Sequence, residues 1–179
     1  MFNSKRILAV IPARGGSKRT PRKNIRPYQG KSLIEWAWDA AIQSKYIDVL
    51  VISTEDEQIR AKCEKRRMCV IDRPQDLATD EALNEDVLRH ALSLYPEMDE
   101  VVLLQPTSPL RTTYDIDACI SMSHRPVVSV NEHQEKNGAV YVAEAEWLRD
   151  GNNFTEPHYP FVMPMRRSLD IDYPEQFNS

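Results

Sequence analysis

Short apolar runs alternate with amphipathic stretches along the whole 179-residue chain. Apolar runs bounded by turn-forming residues are typical of buried strands, whereas apolar residues at helical spacing are typical of helices. The apolar runs predict strands over residues 7–11, 48–53, 69–71, 100–104, 126–130, 139–142 and 168–171. Between the first five of these strands, the amphipathic stretches predict helices.

Hydroxyl residues followed by an acid three positions later mark where three of these helices begin. This spacing is the capping box, in which each side chain satisfies a backbone N–H at the helix start. It occurs at Ser32-x-x-Glu35, Thr54-x-x-Glu57 and Thr112-x-x-Asp115. Because strands alternate with helices, we predict an α/β fold with a mostly parallel sheet covered on both faces, in a single domain over residues 1–179.

Composition adds few constraints beyond placing the chain among soluble globular proteins. Hydrophobic residues make up 41% and charged residues 28%, and no apolar run approaches the ~20 residues of a membrane span. The short apolar run after Lys5 and Arg6 predicts no signal peptide. The cysteines at 63, 69 and 119 are odd in number and lack metal-ligand spacing, which predicts reduced thiols in a cytoplasmic protein.

Charge is distributed unevenly along the chain. The formal net charge is −4, yet the 34 residues before Glu35 contain no acid and nine Lys or Arg residues, so the remainder carries −13. An acidic protein with one basic end is typical of binding a small, highly charged anion and disfavours a nucleic-acid partner. A solvated basic face is the alternative, but interleaving with Gly, Ser and Pro favours a ligand loop.

Six of these nine basic residues lie in a long loop, residues 12–30, directly after the first predicted strand. We call residues 12–24 the cationic loop. Gly15 and Gly16 allow close approach of an anion to backbone N–H groups, and Arg14 and Lys23 would add charge-assisted hydrogen bonds. No P-loop is present, because Gly30-Lys31-Ser32, the only Gly-Lys-Ser sequence, would need glycine at position 25, where Ile25 stands. A flexible basic loop remains the alternative interpretation.

Two further polar segments follow later strands. The loop over residues 105–111 contains two prolines and presents Gln105, Ser108 and Arg111, which suit a carboxylate and hydroxyls, although a proline-rich turn would look the same. Alternation within a strand would place Asp170 and Asp172 on one face, where Mg²⁺ and phosphate oxygens could join them. Solvated acids, or acids paired with Arg166 or Arg167, are the alternative. Ligands of parallel sheets bind beyond the carboxyl ends of strands, so we expect these loops to meet.

Two other candidate functional segments each have two interpretations, and the histidines provide no candidate site. Asn84 is as consistent with a helix N-cap as with a ligand contact. The Asn137-Gly138 pair is as consistent with a turn as with a binding element. The histidines show neither metal-ligand spacing nor the context of a catalytic triad.

Taken together, these segments resemble the acylneuraminate cytidylyltransferase family, the CMP-sialic acid synthetases, nearly from end to end. The matching stretches are Ile11-Pro-Ala-Arg-Gly-Gly-Ser-Lys18, Pro21-Arg-Lys-Asn24, Val51-Ile-Ser-Thr54, Arg73-Pro74, Leu77-Ala78, Leu103-Leu-Gln-Pro-Thr-Ser-Pro-Leu-Arg111, Asn137-Gly-Ala-Val-Tyr141 and Ser168-Leu-Asp-Ile-Asp172. The resemblance implies a Rossmann-like three-layer sandwich of the nucleotide-diphospho-sugar transferase type. It also implies transfer of CMP from CTP to a sialic, legionaminic or pseudaminic acid, with release of pyrophosphate.

The resemblance also implies roles for individual residues. Arg14, Lys23 and Asp172 would be catalytic, and Asp170 and Asp172 would hold Mg²⁺. The CTP contacts would come from Arg14, Gly15, Gly16, Ser17, Lys18, Lys23, Asn24, Ala82 and Asn84. The sugar contacts would come from Gln105, Ser108 and Arg111.

One segment departs from the family pattern. Relatives carry a few dozen residues between the strand matching 127–130 and the Asn-Gly-Ala-Val-Tyr stretch, and this segment supplies sugar contacts and much of a homodimer interface. Here only residues 131–136 stand there. We therefore keep two alternatives to a CMP-nonulosonate synthetase: a truncated CTP-binding module without turnover, and a nucleotidyltransferase for another sugar. Expected partners are CTP and a nine-carbon acidic sugar, with a homodimer as the assembly and neither nucleic acid nor membrane.

Overall fold

The computed structural model of the chain describes residues 4–178. Residues 1–3 of the predicted N-terminus and residue 179 at the end of the predicted domain lie outside the described part. The strands are β1 (Ile7–Pro12), β2 (Pro27–Tyr28), β3 (Lys31–Ser32), β4 (Val49–Thr54), β5 (Val70–Asp72), β6 (Glu100–Leu103), β7 (Val127–Val130), β8 (Lys136–Glu144) and β9 (Tyr159–Val162). The helices are α1 (Leu33–Ala41), α2 (Glu57–Lys65), α3 (Asn84–Leu94), α4 (Thr113–Ser121) and α5 (Ala145–Arg149). Within residues 4–178, none of the helices has the length and apolar character needed to cross a membrane.

Seven of the strands form one mixed sheet in the order β5-β4-β1-β6-β8-β7-β9. Strands β5, β4, β1 and β6 are parallel, β8 is antiparallel to both β6 and β7, and β9 is parallel to β7. The predicted mostly parallel sheet is therefore confirmed. Because β1, β4 and β6 run in one direction, their carboxyl ends meet at the same edge of the sheet.

The sheet is covered by helices on both faces, as predicted. Successive side chains of a strand point to opposite faces, and β1 shows this directly: Ala9 and Ile11 pack with Ile34 of α1 in one core, whereas Leu8 packs with Leu88 of α3 in another. Helices α1, α2 and α4 contribute to the first core, and α3 and α5 contribute to the second. The result is a three-layer sandwich with β1 buried at its centre.

Two of the predicted capping boxes are confirmed, at the starts of α1 and α4. The box predicted at Thr54 is wrong, because Asp56 caps α2. Its Oδ1 accepts hydrogen bonds from the N–H groups of Gln58 and Ile59, each at 2.9 Å. Thr54 is the last residue of β4, and its Oγ1 accepts from the N–H of Asp56 instead, so the helix begins two residues later than the pattern suggests.

The strand predicted over residues 168–171 does not form, and the last strand of the sheet is β9, which the sequence pattern does not predict. Tyr159, Pro160 and Val162 of β9 are exposed at the edge of the sheet, so this strand lacks the buried alternation that patterning detects. Residues 168–171 follow a 3₁₀ turn over Met165–Arg167 and pair with no strand. The reasoning that placed Asp170 and Asp172 on one strand face is therefore wrong, although both acids do line one cleft.

Candidate functional site

A cleft of about 310 Å³ lies at the edge of the sheet where β1, β4 and β6 end. The structure brings together there the three segments that the sequence analysis singled out. The cationic loop contributes Arg14, Lys23 and Asn24, the loop after β6 contributes Gln105, and the C-terminal segment contributes Asp170 and Asp172. A neighbouring pocket shares Arg14, Lys23 and Asp172 and adds Ser17 and Lys18.

The backbone of the cationic loop is held by specific contacts. The amide Nδ2 of Asn24, which is 6% exposed, donates to the carbonyl of Arg14 at 2.9 Å. Gly15 lies so close to Asp56, the N-cap residue of α2, that a Cβ there would lie 2.2 Å from Asp56 Oδ2, so a larger residue would force the Asp56 side chain to shift. The N–H of Gly15 donates to Glu55 Oε1 at 2.7 Å. This N–H is therefore committed within the protein, while Gly16 has open space around it.

Carboxylates pair with the cations of the loop. The guanidinium of Arg14 and the ammonium of Lys18 both meet Asp80, at 2.8 and 2.5 Å, and Lys23 meets Asp172 Oδ1 at 2.8 Å. Hydrogen bonds from Lys18 and Arg14 lower the pKa of Asp80 below its ordinary value. Ion pairs with these acids therefore hold the cations of the loop at the rim of the cleft.

The acid pair, Asp170 and Asp172, faces the same cleft. Asp170 is exposed, but partial desolvation raises its pKa; a hydrogen bond with Thr107 opposes this rise, and the nearby charge of Asp172 adds to it. Among residues 4–178, no group of three or more His, Cys, Asp or Glu side chains is arranged to hold a metal ion. Two carboxylates with phosphate oxygens and water are nevertheless the donor set that Mg²⁺ prefers, so the pair fits a cation that arrives with a polyphosphate.

Arg73 is a cleft residue that the sequence analysis did not assign to the site. Its side chain is 6% exposed, and its guanidinium donates to the hydroxyl and the carbonyl of Ser53, at 3.2 and 2.7 Å. Burial lowers its pKa to about 10, partly offset by the charge of Glu55. The Arg73-Pro74 dipeptide was visible in the sequence as part of the family pattern, but burial of its charge depends on the fold.

The loop after β6 divides the three predicted sugar contacts. Gln105 lines the cleft. Ser108 and Arg111 are 1% and 3% exposed, and they bind backbone carbonyls instead: Ser108 Oγ donates to Asn137 at 2.9 Å, and Arg111 donates to Ala139 and, at 3.0 Å, to Gln105. Ser108 and Arg111 therefore attach this loop to β8, and their contact with the sugar stays a prediction.

The Asn137-Gly138 pair lies inside β8, so it is not a free turn. Asn137 is 3% exposed, and its Oδ1 accepts hydrogen bonds from Ser129 Oγ at 2.6 Å and from the N–H of Ala139 at 3.1 Å. Gly138 has φ +69°, and a Cβ there would lie 2.2 Å from Gln105 Oε1. Glycine at this position therefore leaves room for the cleft-lining amide of Gln105.

The segment before α3 forms another wall of the cleft and includes Ala82 and Asn84. Asn84 is the first residue of α3, and Leu83 occupies the N-cap position. The N-cap interpretation of Asn84 is therefore wrong, and its side chain belongs to the cleft lining. The N–H of Ala82 donates to Thr79 Oγ1 at 3.2 Å, which helps to shape this wall.

The class is that of α/β proteins with a three-layer sandwich, in which the first strand leads into a glycine-containing cationic loop that faces paired carboxylates across a cleft, an arrangement typical of nucleotide-binding proteins. The chain belongs to the cytidylyltransferase family, whose model matches residues 8–149. It is 33% identical over 216 residues to the CMP-N,N'-diacetyllegionaminic acid synthase of Legionella pneumophila, covering 94% of this chain and 92% of that protein. It is 32% identical over 211 residues to the N-acylneuraminate cytidylyltransferase of Streptococcus agalactiae serotype V, covering 95% of this chain and 51% of that protein.

The chain spans about half the length of the N-acylneuraminate cytidylyltransferases that it matches. Both alignments are longer than the 179 residues of this chain, so both relatives contain residues without a counterpart here.

Solved structures show the same fold at low identity. A CMP:2-keto-3-deoxy-manno-octonic acid synthetase in complex with CTP superposes with a TM-score of 0.78 at 16% identity, over 97% of this chain and 95% of that one. Rv0371c of Mycobacterium tuberculosis in complex with manganese has a TM-score of 0.71 at 16% identity, over 97% and 96%. The predicted Rossmann-like fold of the nucleotidyltransferase type is thereby confirmed.

Proposed function

We propose that this protein transfers CMP from CTP to a nonulosonic, sialic-type acid and releases pyrophosphate. The observation that carries the proposal is one cleft that combines the cations Arg14 and Lys23 with the acid pair. A triphosphate requires several cations at close range, and charge-assisted hydrogen bonds to phosphate are among the strongest in proteins. The family and the names of its relatives support CTP as the nucleotide and an acidic nine-carbon sugar as the acceptor.

We assign the triphosphate to the cationic loop. Arg14, Lys18 and Lys23 would exchange their carboxylate partners for phosphate oxygens, and Ser17 would add a hydroxyl. Gly15 and Gly16 keep the backbone close to the phosphates, and Asn24 holds the curve of the loop through its bond to Arg14. Ala82 and Asn84, on the adjoining wall, are assigned to the cytidine.

We assign the acceptor sugar to the side of the cleft lined by Gln105. Its amide can donate to a sugar carboxylate or hydroxyl. Ser108 and Arg111 act on the sugar through Gln105, since their bonds to β8 and to the Gln105 carbonyl hold this loop in place.

We propose Arg14, Lys23 and Asp172 as the catalytic residues. When the anomeric hydroxyl of the sugar attacks the α-phosphorus, negative charge accumulates on the phosphate oxygens and on the departing pyrophosphate. Arg14 and Lys23 would stabilise this charge, and Gln105 would orient the sugar for in-line attack. A divalent cation such as Mg²⁺ on Asp170 and Asp172, when bound, would neutralise part of the same charge.

The proposal is tested by measuring pyrophosphate release from CTP with sialic, legionaminic and pseudaminic acids, each with and without Mg²⁺. We expect release only when CTP, one of these sugars and Mg²⁺ are all present. Asp172→Asn should lower turnover and raise the Mg²⁺ requirement. The absence of release with every sugar, or faster release with UTP, GTP or ATP, would contradict the proposal.

The short connection between β7 and β8 favours a second candidate, a CTP-binding module without turnover. Residues 131–135 form a closed turn before β8: the N–H of Asn131 donates to the carbonyl of Glu135 at 2.8 Å, and Asn131 Oδ1 accepts from the N–H groups of His133 and Glu135. This candidate predicts CTP binding by calorimetry without pyrophosphate release.

For either candidate function, Arg14→Ala should weaken CTP binding by about 1.5–3 kcal/mol, because a charge-assisted hydrogen bond is lost. Arg149→Ala, at the opposite end of the sheet, should leave CTP binding unchanged.

We further propose that the protein acts in the cytoplasm as a homodimer. Three free cysteines, of which Cys63 and Cys119 are buried, support a reducing compartment. Tyr159 and Val162 expose apolar surface along the edge strand β9, which supports pairing with a second copy there. Sedimentation velocity measures the assembly, and a monomer across micromolar concentrations would contradict the homodimer.

A further inference from the structure

The acid pair lies on a segment that no neighbouring strand supports, yet its backbone polar groups are bonded on both sides. Asp170 and Asp172 belong to the stretch between the 3₁₀ turns Met165–Arg167 and Pro174–Asn178. In a sheet, the peptide groups of an adjacent strand would hold such a stretch. Here individual side chains and a loop carbonyl replace that strand.

On one side of this segment, the side chain of Gln176 makes the hydrogen bonds that a neighbouring strand would otherwise make. Its Oε1 accepts hydrogen bonds from the N–H groups of both Asp172 and Tyr173, each at 2.8 Å. Its Nε2 donates to the carbonyl of Asp170, also at 2.8 Å. One side-chain amide therefore closes a ring that spans both acidic residues, much as a backbone amide of a neighbouring strand would do.

The opposite side of the segment is held by the loop after β6 and by the cationic loop. The N–H of Ile171 donates to the carbonyl of Thr107 at 2.8 Å, and the hydroxyl of Thr20, which is fully buried, donates to the carbonyl of Asp172 at 2.9 Å. Ile171 is itself fully buried in a small core with Phe177. With Ile171 turned inward and the backbone fixed, the two flanking carboxylates are directed together toward the cleft.

We infer that Gln176 is the positioning residue that sets the spacing and direction of the Asp170 and Asp172 carboxylates for a divalent cation bound with CTP. The inference rests on the proposed function, in which these acids hold the cation. Removal of the Gln176 amide would release three backbone groups at once, and the acids would then sample many relative positions. Ligand geometry would be lost even though both carboxylates remain.

The test compares Gln176→Ala with Glu175→Ala, its exposed neighbour in the same turn, and with the wild-type protein. Electron paramagnetic resonance measures the affinity for Mn²⁺ in the presence of CTP, and calorimetry measures CTP affinity without metal. Losing a residue that orients a metal ligand typically weakens metal binding about 10–100-fold. We expect a loss of that size for Gln176→Ala, with unchanged metal-free CTP affinity, and no change for Glu175→Ala.

The outcomes separate this inference from the proposed function. Wild-type protein that binds no CTP overturns the proposed function. Wild-type protein that binds CTP and Mn²⁺ equally well after Gln176→Ala overturns the positioning role, as does an equal loss of metal-free CTP affinity. If Gln176→Ala does not fold, Gln176→Glu decides, because its carboxylate still accepts the two N–H groups but cannot donate to Asp170. Weaker Mn²⁺ binding at unchanged metal-free CTP affinity would support the inference, and unchanged Mn²⁺ binding would overturn it.

Discussion

At the scale of single residues, the site is a set of cations held in advance by acids. Arg14 and Lys18 share Asp80, and Lys23 is bonded to Asp172. Such pairing orders long side chains before a ligand arrives, and this reduces the entropy lost on binding. In the proposed function, phosphate must therefore displace a carboxylate from each of these cations. Asp80 therefore orders the side chains of Arg14 and Lys18 and also competes with phosphate for them.

Asp80→Asn should bind CTP and inorganic pyrophosphate several-fold more tightly than wild-type protein, because the neutral amide competes less well for Arg14 and Lys18. Calorimetry measures both affinities. Asp76→Asn removes the same charge from an exposed position in the preceding 3₁₀ turn and is the matched control. Weaker binding by Asp80→Asn alone would show that ordering of the cations outweighs the competition.

At the scale of elements, hydrophobic patterning identified the buried strands and the edge strand β5, but it missed β9 at the other edge of the sheet. Strand β1 is fully buried from Ile7 to Ile11 and reads as an uninterrupted apolar run. Strand β9 exposes most of its residues and contains a proline, so no pattern marks it. Capping was predictable where the cap is local, as at α1 and α4. It failed at α2, because both Thr54 and Asp56 could cap the helix and the end of β4 determined which did.

Glu35 is the acid of the α1 capping box and makes a pH-dependent contribution to stability. It accepts hydrogen bonds from the N–H and Oγ of Ser32, at 2.6 and 2.5 Å, and meets Arg66 at 2.7 Å. Burial acts to raise its pKa, but the Ser32 bonds and the charges of Lys62 and Arg66 together lower it to about 2. The folded-state pKa thus lies below the unfolded value of about 4.3. The stabilisation is therefore complete above that value and is lost as the pH falls through about 2.

Glu35→Gln should lower the free energy of unfolding at neutral pH by about 1–3 kcal/mol and flatten the decline in stability at acid pH. Urea unfolding at neutral pH and at about pH 3 measures both effects. Glu57→Gln, which changes an exposed acid at the start of α2, is the control. Parallel pH curves for the wild-type protein and Glu35→Gln would contradict this assignment.

At the scale of the whole molecule, an acidic protein gathers several of its cations, paired with acids, around one cleft. The net charge is −4, but four of the nine positive charges of the N-terminal segment, Arg14, Lys18, Arg19 and Lys23, line the two pockets at the carboxyl edge of the sheet. A cluster of like charges attracts a multivalent anion over a distance comparable with the Debye length, which salt shortens. The distribution of charge therefore favours nucleotide capture at that edge.

CTP affinity should fall steadily as NaCl is raised, because salt screens the attraction between the triphosphate and the cleft. Calorimetry over a series of NaCl concentrations measures the slope. Arg14→Ala should give a shallower slope than wild-type protein, and Arg149→Ala should give the same slope. An affinity independent of salt would show that the cations of the loop do not hold the triphosphate.

By itself the sequence determined the α/β class, the buried strands, two of the helix caps and the cationic loop, because each of these depends on residues close together along the chain. Only the tertiary structure decided which polar side chains reach the cleft. Gln105 faces it, whereas Ser108 turns away because its partner, Asn137, lies 29 residues further along the chain. Likewise, Asp170 and Asp172 share the cleft without a strand, since Thr20, Thr107 and Gln176 hold their backbone. Contacts between distant residues leave no spacing pattern, so folding had to bring the partners together before the direction of each side chain was defined.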